Sequence, residues 1–459
     1  MFKMLLVANR GTIAIRIIRA CHELGLKTMA VYSTADKDSL HVRMADAAVC
    51  IGPPAAAQSY LNIPAIVSTA LTYGADAVHP GYGFLSENGD FAEACRRSGI
   101  AYVGPRARHI RLMGDKPRAR RIMKRAGVPI LPGSEGTGVS ELRDAQADAK
   151  RLGYPVLIKA AAGGGGKGMR VARDAGELAR LFPLARAESE AAFGSRTMYL
   201  EKYLERARHV EFQIVGDDQR KVAHLGERDC SIQRRHQKVL EEAPCPVMTK
   251  RLRDRMGKAA VRAAQVVGYS NVGTVEFLLA PDSQFYFIEM NTRIQVEHGV
   301  TEMVTAIDLV KESIRLASGE LLGPRHRQVE IDGAAIECRV YAEDPNTHLP
   351  SPGVVANHHP PGGLGIRVET ALYDGYRVPV HYDPLIAKVI AHAEDRALAI
   401  RRAQAALREY LVDGIKTNIP LHLRILEDPD FTAGQFGTDF LSRFEPRLEL
   451  IASRRAKAS

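Results

Sequence analysis

Two glutamates near the middle of the chain are placed by residue order where they could bind a metal ion together. The segment 274–291, TVEFLLAPDSQFYFIEMN, reads as two apolar strands joined by a turn. A turn centred on 281–284 pairs Ala280 with Phe285, Leu278 with Phe287 and Glu276 with Glu289. Facing Cβ atoms in such a pair lie about 4.5–5.5 Å apart, so two like charges there are destabilising. A divalent cation shared with nucleotide phosphates would compensate, and Mg²⁺ is the usual ion in such a site.

Asn291 and Leu278 share the strand parity of these glutamates, so Asn291 could complete the metal shell and Leu278 would line the same face. The alternative is a pair of solvent-facing glutamates at a sheet edge.

The segment TRIQVEH (292–298) follows this hairpin directly and suggests capture of a small anion. Arg293 can hold a planar carboxylate-like ion through two hydrogen bonds, and Gln295 can add another donor. Glu297 would act as a general base, for which burial or neighbouring carboxylates must raise its pKa. The alternative is an ordinary surface Glu-His pair.

A glycine run at 163–168 predicts a flexible flap that could close over phosphates. Backbone amides approach an anion closely where side chains are absent, and Lys159 and Lys167 flank the run. The pattern is not a Walker A loop, because Gly168 and then a strand follow Lys167 where that motif has Ser or Thr and a helix. A plain flexible turn is the alternative.

The segment 227–238, ERDCSIQRRHQK, is interpreted as a polar loop. It is too basic for a simple connector, so either phosphate recognition or a solvated face would account for it.

The elements that position these residues alternate in type. Short apolar strands and helical patterns succeed one another over the first hundred residues, which predicts a parallel βαβ layout and an α/β class. The first strand-to-helix turn, 9–12, has one glycine where a dinucleotide fingerprint needs three, so nicotinamide or flavin binding is disfavoured. A small β-rich lobe follows from about residue 154, and mixed strands and helices occupy the region after 333.

Composition narrows the function classes further. The net charge is +10, but basic residues are interleaved with acidic ones along all 459 residues, so nucleic-acid binding is not expected. No signal peptide and no run of eighteen apolar residues is evident, which predicts a cytoplasmic protein without a membrane partner. Six widely spaced cysteines favour reduced structural thiols.

Taken in order, eight motifs resemble the biotin carboxylase family over nearly the whole chain. They are HPGYGFLSEN (79–88), MGDK (113–116), IKAAAGGGGKGMR (158–170), EKYLERARHVEFQ (201–213), ERDCSIQRRHQK (227–238), FIEMNTRIQVEH (287–298), ECRVYAEDP (337–345) and DGIKTN (413–418). The resemblance implies an ATP-grasp fold. It divides the chain into an N-terminal βαβ domain (1–114), an ATP-grasp domain (115–330) with a mobile lid lobe (131–203), a C-terminal mixed domain (331–446) and a basic tail (447–459).

The resemblance also assigns residues to ligands. ATP would contact Lys116, Lys159, Gly164, Gly165, Gly166, Lys167, Gly168, Glu201, Lys202, Leu204, His209, Gln233, His236 and Leu278. Mg²⁺ or Mn²⁺ would lie on Glu276, Glu289 and Asn291, and bicarbonate on Lys238, Arg293, Gln295 and Val296. Biotin would lie beside Tyr82, Gly83, Phe84 and Arg339.

The implied catalytic residues are Glu297, Lys238, Arg293 and Arg339. Glu297 would deprotonate bicarbonate for attack on the γ-phosphate of ATP, giving carboxyphosphate, and Lys238 would hold bicarbonate and this intermediate. Arg339 would stabilise the ureido oxygen of biotin while its N1 attacks CO₂. The products would be ADP, phosphate and N1-carboxybiotin.

The expected partners follow from the same resemblance. Biotin would arrive on a separate carboxyl carrier protein, because the Ala-Met-Lys-Met signature of a carrier segment is not found. A carboxyltransferase subunit would complete an acyl-CoA carboxylase, with acetyl-CoA favoured as in fatty acid biosynthesis. Propionyl-CoA carboxylase, methylcrotonyl-CoA carboxylase and a two-subunit pyruvate carboxylase are the alternatives. Homodimers are expected, with Arg19, Glu23 and Arg367 at the interface. Gly299 stands where the family usually has proline, which loosens the backbone after the proposed base.

Two other function classes are considered. A carbamoyl phosphate synthetase-like ligase would also make carboxyphosphate but pass it to another acceptor, which Tyr82, Lys238 and Arg339 argue against. An inactive basic scaffold or nucleic-acid-binding protein would show damaged metal or base positions, and these are intact.

Overall fold

A parallel sheet forms the N-terminal part of the protein. The computed structural model describes residues 2–134, 138–160, 169–326 and 329–444. The first elements are β1 (Met4–Val7), α1 (Gly11–Glu23), β2 (Lys27–Ser33), α2 (Leu40–Met44), β3 (Ala47–Gly52), α3 (Ile63–Thr72), β4 (Ala77–His79), α4 (Gly89–Arg97), β5 (Ala101–Tyr102) and α5 (Ala107–Gly114). The five strands pair in parallel in the order β3-β2-β1-β4-β5, as the alternating pattern predicts.

Helix α1 ties this sheet to the next domain. Its apolar residues Ile13 and Ile17 are buried and share one core cluster with Val272 and Ile314, which lie far along the chain. The burial of an Ile side chain contributes about 1.5–3 kcal/mol, so this cluster fixes the two domains against each other.

A small lobe with its own core follows. Helix α6 (Lys116–Arg125) precedes it, and its buried Ala119 and Met123 share a core cluster with Phe277 and Phe287 further along the chain. The elements of the lobe are α7 (Leu142–Leu152), β6 (Val156–Ala160), β7 (Arg170–Ala172), α8 (Ala175–Phe193) and β8 (Met198–Lys202). Strand β6 pairs antiparallel with both β7 and β8, and α7 and α8 cover the sheet through buried Ala145, Leu178 and Phe182. The glycine run between β6 and β7, with Gly164, Gly165, Gly166, Lys167 and Gly168, lies outside the described residues.

The central and C-terminal parts share one long sheet. The central elements are β9 (Arg208–Gly216), β10 (Val222–Arg234), β11 (Gln237–Ala243), α9 (Lys250–Val267), β12 (Asn271–Leu279), β13 (Phe285–Asn291), α10 (His298–Thr305) and α11 (Leu309–Ala317). The later elements are β14 (Ala334–Tyr341), β15 (Gly353–Val354), β16 (His358–His359), β17 (Ile366–Thr370), β18 (Arg377–Val378), β19 (Leu385–Ala393), α12 (Arg396–Glu409), β20 (Leu411–Val412), α13 (Ile419–Glu427) and α14 (Pro429–Thr432). Eight of these strands form an antiparallel sheet in the order β13-β12-β9-β10-β11-β14-β19-β17.

The predicted hairpin forms, but its register is only partly as predicted. Glu276 faces Glu289 as expected, whereas Leu278 pairs with Tyr286 and Leu279 with Phe285. A register shift directly after Glu276 leaves one extra residue on β13, which is a β-bulge. The predicted pairs Leu278–Phe287 and Ala280–Phe285 are therefore wrong, because the loop is one residue longer than the regular turn assumed.

The segment 227–238 is not the loop that its polarity suggests. Strand β10 continues to Arg234, and β11 starts at Gln237. The two turn residues, Arg235 and His236, have positive φ angles of 50° and 65°, as a tight two-residue hairpin requires. Polar residues occur in these strands because one face of the sheet lines a charged site.

None of the described helices combines the length and apolar character needed to cross a membrane. All six cysteines are unpaired, and Cys50 alone among them is exposed.

Candidate active site

Three carboxylates form a row across neighbouring strands of the long sheet. Glu276 on β12 faces Glu289 on β13 on one side and Glu211 on β9 on the other. Sequence reasoning missed Glu211. Its strand, HVEFQ, carries His209, Glu211 and Gln213 at alternate positions, and this polar parity in a β-rich segment was the available signal.

Lys238 lies at the centre of the acidic cluster. Its Nζ is 2.6 Å from Glu211 Oε2, 3.0 Å from Glu276 Oε1 and 2.6 Å from Glu297 Oε1. Burial lowers the pKa of Lys238, but these carboxylates outweigh it and hold the pKa well above its ordinary value. The lysine is therefore a fixed cation.

Glu297 is clamped between two cations. Its second oxygen accepts a hydrogen bond from Arg339 Nη2 at 2.8 Å, while the first accepts from Lys238. Burial alone would raise the pKa of Glu297, but Lys238 and Arg339 lower it well below its ordinary value. A general base would need this pKa raised, and the surroundings lower it instead, since the two cations outweigh burial.

Arg339 links this base to a second acid. It contacts Glu241 at 2.5 Å, and burial raises the pKa of Glu241 to about 7 although Arg339 opposes the shift. Arg339 itself is buried. Its guanidinium therefore spans two carboxyl groups of different acidity.

Arg293 fixes the segment after β13 through hydrogen bonds to its neighbours Asn291 and Gln295 and to Glu87 of the N-terminal domain. Arg293 Nη1 donates to Gln295 Oε1 at 2.8 Å, and Arg293 Nη2 donates to Asn291 Oδ1 at 3.3 Å. Arg293 Nε donates to Glu87 Oε2 at 3.0 Å. Glu87 follows the HPGYGFLS run of the N-terminal domain, and sequence reasoning did not assign it to the site.

The residues predicted to contact ATP lie on both sides of the acidic row. Lys116 Nζ is 3.2 Å from Glu289 Oε2, and His209 Nε2 is 3.0 Å from Glu276 Oε2. Gln233 Nε2 lies 2.8 Å from His209 Nδ1, so the row continues toward β10.

A second group of predicted ATP residues lies on the small lobe and at its junction with the long sheet. Lys159 forms an ion pair with buried Glu201, which Arg120 also binds at 2.6 Å. Burial opposes ionisation of Glu201, but these cations lower its pKa. Lys202 donates to the carbonyls of residues 153 and 154. Leu204 and Leu278 are half-buried, and His236 is exposed.

The loop predicted to contact biotin is anchored to the N-terminal domain. Tyr82 Oη is 3.0 Å from Thr12 Oγ1, and Asn9 donates to the Tyr82 carbonyl at 2.8 Å. Phe84 stacks on Tyr60 with ring centroids 4.9 Å apart, and Gly83 is exposed. Within the described ranges, no hydrogen bond joins this loop to Arg339, so the two predicted biotin contacts are not in direct polar contact.

The donor set of the hairpin fits magnesium. Glu276 and Glu289 face each other as cross-strand partners. Asn291, two residues after Glu289 on β13, donates to Glu276 Oε1 at 2.8 Å. Lys238 and His209 outweigh burial and hold the pKa of Glu276 well below its ordinary value, so this carboxylate is available as an anionic oxygen ligand. Hard divalent cations prefer this combination of oxygen ligands.

A parallel N-terminal domain, a small lobe beside a glycine run and a sheet face lined with carboxylates and lysines define an enzyme of the ATP-grasp class. Three family models match the chain: "Biotin carboxylase, N-terminal domain" over residues 1–110, "Carbamoyl-phosphate synthase L chain, ATP binding domain" over 115–324 and "Biotin carboxylase C-terminal domain" over 337–443. The chain belongs to the biotin carboxylase family.

Individual relatives are similar to the chain over nearly its whole length. The chain is 55% identical to the biotin carboxylase of Nostoc sp., covering 96% of this chain and 98% of that protein. It is 51% identical to a pyruvate carboxylase subunit of Methanothermobacter thermautotrophicus, covering 98% and 91% respectively. The biotin carboxylase domain dimer of Hydrogenobacter thermophilus 2-oxoglutarate carboxylase, solved with MgADP, ADP and bicarbonate, superposes with a TM-score of 0.92 at 49% identity, covering 96% of this chain and 98% of that one. The predicted family, fold class and enzyme class are confirmed.

Proposed function

We propose that this biotin carboxylase uses MgATP and bicarbonate to carboxylate biotin that a separate carrier protein presents. The observation that carries the proposal is the clamp on Glu297, which brings a base, an anion-binding lysine and a buried arginine together. Each of the three is needed at a different stage of the reaction.

ATP binding would use the residues on both sides of the acidic row, with the glycine flap closing over the phosphates. The adenine end would lie against Lys202, Leu204, Gln233 and His236, and the phosphates toward Lys116, Lys159 and His209. Glu276, Glu289 and Asn291 would hold Mg²⁺, which when bound neutralises phosphate charge.

Bicarbonate would bind beside the clamp, on Arg293, Gln295, the backbone of Val296 and Lys238. An anion that draws Lys238 toward itself weakens the contact with Glu297 Oε1. Loss of that cation raises the pKa of Glu297, because Arg339 and Arg228 are then the main cations that oppose burial. Glu297 thus becomes basic enough to take the bicarbonate proton when the substrate is in place, and the bicarbonate oxygen attacks the γ-phosphorus as ADP leaves.

Carboxyphosphate would then break down to CO₂ and phosphate, the phosphate would take the N1 proton of biotin, and N1 would attack CO₂. Arg339 would stabilise negative charge on the ureido oxygen, since a buried guanidinium acts strongly on developing charge. Tyr82, Gly83 and Phe84 would form the wall beside the ring. Flap closure would protect the water-labile intermediate.

The complete enzyme is proposed to be an acyl-CoA carboxylase, with acetyl-CoA the favoured substrate of a separate carboxyltransferase in the cytoplasm. The relatives named pyruvate carboxylase and 2-oxoglutarate carboxylase make a 2-oxo acid the second candidate. We also propose a homodimer with Arg19, Glu23 and Arg367 at its interface. The dimeric state of the Hydrogenobacter domain supports it.

Release of ADP by purified protein, with MgATP and bicarbonate and with or without free biotin, tests the proposal. Biotin should stimulate turnover several-fold, and Glu297→Gln should abolish the stimulated turnover. Glu427→Gln, which changes an exposed ion pair with Arg408, is the matched control and should behave as the parent protein. Bicarbonate-dependent turnover that ignores biotin would instead identify a ligase with another acceptor.

A further inference from the structure

A completely buried lysine lies beneath the segment that carries the proposed base. Lys388 on β19 has 0% of its surface exposed. Its Nζ donates to the backbone carbonyl of Val296 at 2.7 Å and is 2.6 Å from Glu369 Oε2. Glu337 Oε2 is 3.8 Å away.

A structural ion pair with Glu369 would account for part of this arrangement. Burying an ammonium group is costly, and an apolar residue of similar volume often serves stability as well. The ion pair does not account for the hydrogen bond to Val296, because that bond leaves the sheet and reaches a segment between β13 and α10.

That segment has no regular secondary structure of its own. Glu297 is the N-cap residue of α10, but residues 292–296 lie in neither a strand nor a helix, so no strand ladder fixes the carbonyl of Val296 or the residues before it. Their positions depend on contacts with the sheet below. Small displacements matter here, since a 1 Å error in a catalytic group can cost about 100-fold in rate.

The sheet register places two cations side by side under this segment. Lys388 on β19 faces Arg339 on β14 as its cross-strand partner. Arg339 holds the carboxylate of Glu297, and Lys388 holds the carbonyl of the residue before it. Two consecutive residues are thus held by two adjacent strands, one through the side chain and one through the backbone.

A second contact from β19 supports the start of α10, directly after this segment. The backbone at Gly299 packs so closely on Ile390 that a Cβ added there would overlap Ile390 Cδ1 and lie 2.9 Å from Glu337 Oε2. Ile390 is two residues from Lys388 and on the same face of the strand. Strand β19 therefore contacts the chain on both sides of Glu297, at Val296 and at Gly299.

We propose that Lys388 is a positioning residue that sets the bicarbonate-binding backbone of Val296 and the base Glu297 in register for the reaction. It touches neither substrate nor metal and acts through the carbonyl it holds. The proposal rests on the proposed function, which assigns bicarbonate to the backbone of Val296.

Steady-state ADP release with ATP and bicarbonate varied separately tests this role. Lys388→Met removes the hydrogen bond and the charge at similar length. We expect the KM for bicarbonate to rise about tenfold or more and kcat to fall, while the KM for ATP stays within twofold, because the nucleotide residues lie on other strands. A variant whose KM for bicarbonate stays within twofold, or whose two KM values rise together, would overturn the proposal.

Glu369→Gln separates the two contacts of Lys388. It removes the ion pair, together with the charge that Glu369 presents to Arg367 and Arg16, but leaves the bond to Val296. The melting temperature should therefore fall while the KM for bicarbonate shifts less than threefold. If Lys388→Met does not fold, Lys388→Gln keeps an amide donor in the site and should raise the KM for bicarbonate by a smaller factor. An unchanged value in this variant also contradicts the proposal.

The two proposals fail in distinguishable ways. Turnover of the parent protein that ignores biotin contradicts the proposed function, whereas the split between the two KM values in Lys388→Met can be measured with or without biotin stimulation.

Discussion

Burial and neighbouring charge set the pKa of each buried carboxyl group in and around this site. Some of these pKa values are lowered and others are raised. Glu276 and Glu297 each face cations, which hold their pKa values well below the ordinary range. Glu337 is equally buried, but both of its oxygens lack a hydrogen-bond donor within the described chain. Burial raises the pKa of Glu337 to about 8, although Lys388 opposes the shift.

Glu337→Gln is predicted to change how stability depends on pH. A carboxyl group whose folded pKa is raised from 4.5 to about 8 keeps its proton in the native state while the unfolded chain loses it. Its contribution to stability is full below pH 4.5 and is lost as the pH rises through 8. The free energy of unfolding of the parent should therefore fall relative to the variant by about 1 kcal/mol per pH unit between pH 5 and 8.

Chemical denaturation of both proteins at several pH values measures this difference. Glu409→Gln, an exposed change at the end of α12, is the control and should leave the pH dependence unchanged. Parallel curves for the parent and Glu337→Gln would show that Glu337 ionises normally.

Most residues of the site could be predicted one by one from the sequence, because they lie in contiguous motifs. The facing of Glu276 and Glu289 follows from one short hairpin. Glu211 was missed because its strand pairs with one 65 residues later, and nothing local indicates that pairing. The low pKa of Glu297 was missed for the same reason, since Arg339 reaches it from a distant strand.

At the scale of single elements, the hairpin of β12 and β13 explains how a partly wrong register still predicted that Glu276 faces Glu289. The bulge lies between the turn and Glu276, so it cancels the extra residue of the loop before that pair is reached. The error on 227–238 had another origin. Polarity signals a loop when strands face a hydrophobic core, but β10 and β11 face a charged site.

A substitution at Gly299 tests how tightly the start of α10 packs on β19. Gly299→Ala is predicted to lower the free energy of unfolding by about 1–3 kcal/mol, because its Cβ meets Ile390 Cδ1 and overpacking of this kind has that cost. Ile390→Val removes the Cδ1 methyl that blocks the space. The double variant should therefore be more stable than the sum of the two single changes predicts.

Thermal and chemical denaturation of the four proteins in this double-mutant cycle measures the coupling. Additive changes in the free energy of unfolding would mean that the backbone shifts to accommodate the new Cβ and that Ile390 does not limit the space. Gly319→Ala is not a matched control because of its positive φ, whereas Gly114, which has open space around its Cβ position, is suitable for the same change.

At the scale of the whole molecule, the eight-stranded sheet joins regions that the sequence separates. Strand β11 of the central part pairs with β14 of the C-terminal part through four residue pairs, including Glu241 with Glu337. The proposed active site depends on this junction, because Lys238 comes from one side of it and Arg339 and Lys388 from the other. The sequence indicates two separate domains with a boundary near residue 330, because motifs involve residues close together in the chain. The pairing of β11 with β14 joins residues far apart in the chain, so the sequence does not indicate it.

This continuity predicts that the chain cannot be shortened at the proposed boundary. A fragment of residues 1–330 lacks β14, β19 and β17, so it leaves β11 as an edge strand with buried Val239 and Leu240 newly exposed. We expect this fragment to aggregate or to unfold without a cooperative transition. A fragment of residues 1–444 keeps all eight strands, and its melting temperature should match that of the full chain within a few degrees. Calorimetry and size-exclusion chromatography of the two fragments test this prediction. A soluble 1–330 fragment with a sharp thermal transition would mean that β11 needs no partner strand. The C-terminal region would then add Arg339 and Lys388 to a domain that folds without them.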